Sequence, residues 1–302
     1  MDYVLKTDNL TKFFKKKPAV NKVSMNVPKG AIYGLIGING AGKTTIMRMV
    51  AGLAAPSGGT IELFGSKDLV SQRQKLGCVI ENPALYPNMT ARENLEAFRR
   101  LVGVEDTTVV EKILETIGLK DVDNKKKAKN FSLGMKQRLS IGIALLGDPE
   151  FLILDEPING LDPTGIAEMR DLFLKLRDEG KTILISSHIL GELFKVATHF
   201  GVIKNGILIT EFEASALDDK CQTVCKFVVN DAEKAKQILA DTYNATDIKI
   251  EDGNTLLVGG FNDDIAKLNA SLCGAGIEVS HVSLFGQDLE AYFIGLMRGG
   301  AV

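Results

Sequence analysis

An excess of charge of either sign is the first thing this chain lacks. Its 302 residues carry 36 basic and 38 acidic side chains for a net of -2, so nothing demands a nucleic acid or an anionic membrane as partner. The basic clusters Lys15–Lys17 and Lys125–Lys129 read as solvated loops. Cysteine spacing is missing too: Cys78, Cys221, Cys225 and Cys273 form no CxxC pair, which argues against a zinc site and a disulfide framework and implies reduced thiols. No apolar run approaches the roughly 18 residues of a spanning helix, and the start does not read as a signal peptide. The expectation is a cytoplasmic chain whose membrane role would run through a partner. Histidine is scarce, and of the 3 present His199 and His281 have no chemical neighbours in the sequence and read as structural. What the chain has is 45% hydrophobic content and a length suited to one large domain plus a small one.

Residues 31–51 hold the constellation with a direct chemical reading. Ala31 to Ile36 is an apolar run long enough for a buried strand, Gly37-Ile38-Asn39-Gly40-Ala41-Gly42-Lys43-Thr44 follows, and Ile46, Met49 and Val50 then set a helical pattern. Strand, glycine loop and helix in that order aim successive N–H groups and the positive end of the helix at one oxyanion, and the glycines leave room for it. Phosphate is the expected ligand. Lys43 would reach the β- and γ-phosphates, the Thr44 hydroxyl would ligand Mg²⁺, and Thr45 caps or packs beside them.

Around this stretch the chain reads as α/β. Val23, Met25 and Val27 alternate with polar residues as in a strand with one wet face, so antiparallel strands open the fold, and Thr60 to Phe64 is a further strand. Residues 84–147 read as a helical insert. It starts at the capping box Thr90-Ala91-Arg92-Glu93, with Leu95, Phe98, Leu101 and Val102 on one face, and a second helix through Val110, Ile113, Leu114 and Ile117 stops at Gly118. Phe151-Leu152-Ile153-Leu154 is an apolar run ending in Asp155-Glu156, two carboxylates at the carboxyl end of a central parallel strand, where such sheets bind ligands. Asp155 there is the expected Mg²⁺ partner. Asp162-Pro163 starts a helix that Gly180 ends. Thr182 to Ile185 is another buried strand with Ser186, Ser187 and His188 at its end, so His188 stands on the same edge. A hairpin around Asn205-Gly206 closes the domain. From about residue 217 the order strand, helix, two strands about Asp252-Gly253, helix, strand and a final helix from Leu289 to Met297 suits a small α+β domain of βαββαβ type, with no site of its own.

With these motifs in order, the chain resembles the nucleotide-binding subunit of an ATP-binding cassette transporter. Phe131-Ser132-Leu133-Gly134-Met135-Lys136-Gln137-Arg138 resembles the family signature Leu-Ser-Gly-Gly-Gln followed by Gln-Arg, and the motifs together span residues 10–210. The resemblance implies a cassette ATPase domain over 1–216, with a mixed sheet, an antiparallel β subdomain and the helical insert, and an accessory domain over 217–302. It implies ATP and Mg²⁺ as cofactors. Gly37, Asn39, Gly40, Ala41, Gly42, Lys43, Thr44 and Thr45 would hold the nucleotide, and Phe14 would be the adenine platform. Ser132 and the Gly134 amide would reach the γ-phosphate held by a second copy in an ATP sandwich, and Asp162, in Asn159-Gly160-Leu161-Asp162, would link the two sites. Thr44, Asp155 and Glu81 would face the metal, Lys43 and His188 the γ-phosphate, and Glu156 would be the base for water. The partner implied is an integral membrane permease, which places the chain on the inner face of the cell membrane.

Two positions depart from the family pattern. Leu133 replaces the first signature glycine, where bulk could narrow the loop. In Cys78-Val79-Ile80-Glu81-Asn82-Pro83 most members carry Gln in place of Glu81, and a glutamate there, with Ala84-Leu85-Tyr86-Pro87 and Ser186-Ser187-His188-Ile189-Leu190, is similar to the branch exporting lantibiotics and bacitracin. The alternatives are a soluble cassette ATPase of translation or repair, which usually carries two cassettes, and a nucleotide-binding regulatory module without turnover, which Glu156 and His188 disfavour.

Overall fold

The computed structural model describes residues 2–81, 85–216, 224–261, 264–285 and 293. Asn82, Pro83 and Ala84, Cys221, and the expected last helix apart from Phe293 lie outside the described residues. The chain divides into two compact units, Met1–Ala214 and Ser215–Val302. The first runs β1 (Tyr3–Phe14), β2 (Lys17–Val23), β3 (Asn26–Pro28), β4 (Ile32–Ile36), α1 (Lys43–Val50), β5 (Gly58–Leu63), α2 (Leu69–Gln72) and β6 (Leu76–Val79). Then come α3 (Ala91–Leu101), α4 (Val109–Thr116), α5 (Leu133–Ala144), β7 (Phe151–Asp155), α6 (Pro163–Asp178), β8 (Thr182–Ser187), α7 (Leu190–Leu193), β9 (His199–Lys204) and β10 (Ile207–Glu213).

Six of these strands form one mixed sheet in the order β10-β9-β4-β8-β7-β6. Within it β9, β4, β8, β7 and β6 are parallel and β10 is an antiparallel edge. Every residue of β4, β7 and β8 is buried, which is why β4, β7 and the middle of β8 are nearly all apolar and do not alternate. Because β4, β8 and β7 are neighbours running the same way, the segments that follow them emerge at one edge of the sheet.

The other four strands, β2-β1-β3 with β5 against β1, make an antiparallel sheet. The alternation from Val23 to Val27 reads as one strand, but the backbone breaks there, and its two pieces pair with different stretches of β1 (Leu10↔Val23 and Lys6↔Asn26). Thr7 supplies the reason. Its hydroxyl donates to the Val23 carbonyl at 3.0 Å and accepts from the Met25 N–H at 2.9 Å, satisfying backbone groups that a continuous ladder would pair.

In the helical insert, Thr90 and Glu93 close the capping box: each side chain accepts from the other's backbone N–H, at 3.1 and 2.7 Å. The inward face of α3 differs from the expected one. Ala91, Asn94, Leu95 and Arg99 are buried, whereas Leu101 and Val102 are 74% and 54% exposed. Polar residues can occupy that face because each is engaged: Asn94 exchanges hydrogen bonds with the Tyr86 backbone, and the Arg99 guanidinium binds Glu96 and the Val104 carbonyl.

The second unit is β11 (Val224–Val229), α8 (Ala232–Tyr243), β12 (Ile248–Glu251), β13 (Thr255–Gly259), α9 (Ile265–Gly274) and β14 (Val279–Phe285). Its antiparallel sheet has the order β12-β13-β11-β14. Cys225, Phe227 and Val229 alternate inward along β11 to meet Leu239, Leu256, Leu268 and Leu272, the period-two pattern of a sheet with helices on one face.

One contact ties β4, which leads into the glycine loop, to the edge strand of its own sheet and to the antiparallel sheet. The fully buried Tyr33 donates its hydroxyl to Glu211 of β10 at 2.6 Å, and the same carboxylate oxygen accepts the Asn26 N–H of β3 at 3.0 Å. Burial, then the adjacent Glu211 carboxylate, push the phenol well above its usual range. The ring fits only because residue 201 is glycine: a Cβ there would lie 2.2 Å from the Tyr33 oxygen. Gly201→Ala should therefore cost about 1–3 kcal/mol, the usual penalty of overpacking, read as a lower thermal midpoint, and adding Tyr33→Phe should recover part of it. An unchanged midpoint for the single variant would refute this close fit.

Candidate active site

The loop after β4 is shaped by backbone contacts at two glycines. Gly42 has φ +111, and a Cβ on it would meet the Ala19 carbonyl at 2.6 Å; a Cβ on Gly37 would meet the Ile203 carbonyl at 2.5 Å. The Gly206 N–H donates to the Ala41 carbonyl at 2.9 Å, so the loop rests on the β1–β2 and β9–β10 hairpins. Ile38, Asn39 and Gly40 are left exposed. Helix α1 begins at Gly42 with no side-chain cap, whereas Thr90, Ser132, Asp162 and Asp231 cap α3, α5, α6 and α8. The first N–H groups of α1 thus remain for a ligand, and with the helix dipole they suit phosphate oxygens. Thr45 stands half-buried in the first turn.

Lys43 is 5% exposed. Its ammonium donates to the Gly37 carbonyl at 2.6 Å and lies 3.1 Å from a Glu156 oxygen. The other Glu156 oxygen is 2.7 Å from His188 Nδ1, so Lys43 at the start of α1 and Glu156 and His188 just past the ends of β7 and β8 form one polar cluster. Beside it the Thr44 hydroxyl donates to Asp155 Oδ2 at 2.7 Å. Hydroxyl and carboxylate oxygens side by side are a hard donor set of the kind Mg²⁺ takes, usually completed by water and nucleotide phosphates. Among the described residues no group of three or more His, Cys, Asp or Glu could hold a metal, so an ion here would depend on that nucleotide.

Two residues of this neighbourhood have no role assigned from the sequence. Ser186 donates to Asp155 Oδ1 at 2.5 Å and accepts the Glu156 N–H at 2.9 Å; the available signal was a hydroxyl directly after the apolar run Ile183–Ile185. Arg48 of α1 pairs with Glu81, and no local pattern joins residues so far apart. The partner that the structure gives Glu81 is thus a guanidinium, with the glutamate held at φ +67.

The remaining sites stand apart from this cluster. Phe14 ends β1, 53% exposed, with the Lys12 ammonium 5.5 Å from its ring centre; its hairpin touches the phosphate loop through Ala19. Ser132 is the cap of α5, its oxygen accepting the Met135 N–H at 3.2 Å, and Asp162 caps α6 by accepting from Gly165 at 2.9 Å. Gly134 is buried where α5 meets Leu161 and Gly165. The bulk of Leu133 leans on Gly160, whose Cβ position lies 3.2 Å from a Leu133 methyl carbon. It therefore rests on the loop before α6 and leaves the Ser132 hydroxyl in place.

The ABC transporter family model matches residues 20–159. The chain is 42% identical to the bacitracin transport ATP-binding protein BcrA of Enterococcus faecalis, over 100% of this chain and 99% of that protein. It is 39% identical, over the full length of both, to BcrA of Bacillus licheniformis. The lantibiotic transport ATP-binding protein SrtF of Streptococcus pyogenes is 45% identical over 70% of this chain and 91% of its own. A solved ATP-binding subunit of an ABC transporter superposes with a TM-score of 0.63 at 27% identity, covering 72% of this chain and 92% of that one. The chain belongs to the ATP-binding subunits of ABC transporters.

Proposed function

We propose that this subunit hydrolyses ATP with Mg²⁺, as a homodimer bound to an integral membrane permease, and so powers export of peptide antibiotics of the bacitracin or lantibiotic type. The observation that carries hydrolysis is the position of Glu156, 3.1 Å from the phosphate-binding Lys43 and 2.7 Å from His188. The export assignment rests on full-length similarity to bacitracin transport ATP-binding proteins. No helix of the described residues is long and apolar enough to cross a membrane, and a permease would hold the subunit at the inner face of the cell membrane.

The chain's own groups divide the work. The free N–H groups of α1 and the Lys43 ammonium hold the triphosphate, with Phe14 against the adenine and Asn39, Gly40 and Ala41 in the loop around the phosphates. Thr44 and Asp155 hold Mg²⁺, which when bound offsets negative charge on the phosphates. Glu156 takes the proton of the attacking water, and His188, hydrogen-bonded to Glu156, contacts the γ-phosphate. Ser132 and Gly134 complete the site of the neighbouring copy, and Asp162 fixes the loop between the sites. Glu81 reports the metal and phosphate state to the permease after leaving Arg48.

Glu156→Gln keeps shape and hydrogen bonding but removes the basic carboxylate, so phosphate release should fall by about 10² or more while ATP still binds; wild-type turnover would strip Glu156 of the role. Mixing Lys43→Ala with Ser132→Arg protein should restore part of the activity, because each mixed dimer keeps one intact composite site; if the mixture is as inactive as its components, the sandwich reading is wrong. Glu81→Gln removes the charge now paired with Arg48 and should shift the Mg²⁺ concentration needed for half-maximal hydrolysis, or the transport per ATP in vesicles with the permease. Identical metal curves and identical transport would exclude that role.

A further inference from the structure

Ser186 is fully buried and faces Asp155 across the β7–β8 ladder. A hydroxyl at such a place gives up water and needs protein partners for both its donor and its acceptor capacity. It has both, and they belong to consecutive residues with different tasks. By donating to Oδ1 of Asp155 it occupies one carboxylate oxygen and leaves Oδ2 for the Thr44 hydroxyl at 2.7 Å, which fixes the rotation of the group proposed to hold the metal. By accepting the Glu156 N–H it anchors a residue at φ +50, a left-handed conformation disfavoured for any residue with a Cβ unless its surroundings hold it. Glu156 in that conformation reaches Lys43 and His188.

We infer that Ser186 is a positioning residue for ATP hydrolysis: its one hydroxyl sets Asp155 on Thr44 and the Glu156 turn on Lys43 and His188, so that metal binding and water activation share a support. The inference rests on the roles proposed above for Asp155 and Glu156. The hydrogen bonds of the Ser186 hydroxyl go to Asp155 and Glu156 and to neither the glycine loop nor Lys43, so nucleotide binding without metal should not depend on it. Its loss should instead appear in two quantities together, the Mg²⁺ requirement and the turnover.

The test uses the full chain as wild type, Ser186→Ala, Ser186→Cys and Glu156→Gln, with three readouts: the thermal midpoint of the nucleotide-free protein, the affinity for a fluorescent ATP analogue in EDTA and across a Mg²⁺ titration, and phosphate release. Ser186→Ala should bind the analogue in EDTA within about twofold of wild type, need about fivefold more Mg²⁺ to reach its tightest binding, and turn over about tenfold more slowly. Ser186→Cys leaves no cavity but offers only a weak donor and a weak acceptor and should share both defects, which separates them from the cavity that Ser186→Ala leaves. The inference is overturned if either variant keeps the wild-type Mg²⁺ response and turnover while Glu156→Gln is inactive. It is equally overturned if both lose EDTA binding along with thermal stability, since Ser186 would then be merely structural. Turnover retained by Glu156→Gln would instead bring down the proposed function on which the inference stands.

Discussion

A lysine ammonium that is 5% exposed has to have its charge matched by protein groups, and the first unit is arranged to do so. Lys43 is matched by the carbonyl of its own loop and by Glu156. The loop follows β4 and Glu156 follows β7, and only a parallel sheet with β8 between those strands brings the two ends to one place. The same β8 carries Ser186 and His188 to the gap. An uncompensated charge in this site would be costly, so the placement of strands and the chemistry of the site are one requirement seen at two scales.

The residues whose meaning lies in close sequence spacing were legible before any coordinates. Gly37 to Thr44 lies between an apolar strand and an apolar helical stripe, Asp155-Glu156 ends an apolar run, and the βαββαβ order of the second unit shows in alternations such as Cys225, Phe227 and Val229. Other features were not legible, because a distant residue decides them. The break between β2 and β3 is made by Thr7, the inward face of α3 is set by Tyr86 and Val104, and Glu81 is claimed by Arg48. Ser132 and Phe14 fall between these cases. Each has an unremarkable local structure, a helix cap and an exposed strand end, and acquires a site role only through resemblance to the family.

The helical insert and the glycine loop also differ in how their ends are finished. Thr90, Ser132 and Asp162 satisfy their helices from within the chain, which makes α3, α5 and α6 stable frames. Leu133, where the family has glycine, adds an apolar contact to Gly160, joining the start of α5 to the loop that starts α6. Arg138 and Glu168, 3.1 Å apart, join the same two helices further along. The two N-termini are therefore braced as one block, while α1 alone among these four helices presents an unfinished end to the phosphate site.

Under the proposed function, the pairing of Glu156 with Lys43 and His188 sets the site against its own substrate. A triphosphate that approaches Lys43 competes with a carboxylate already seated there, so binding is an exchange of one anion for another and not the filling of an uncompensated positive hole. Part of the attraction for phosphate is spent on the separation, which tempers affinity. In the proposed mechanism the carboxylate set loose by the exchange would serve as the base once a triphosphate is in place. A free phosphate ion or a truncated nucleotide would have to displace the same glutamate with fewer contacts of its own. Under that proposal the ion pair would act as a threshold that favours the ligand able to engage the whole loop at once.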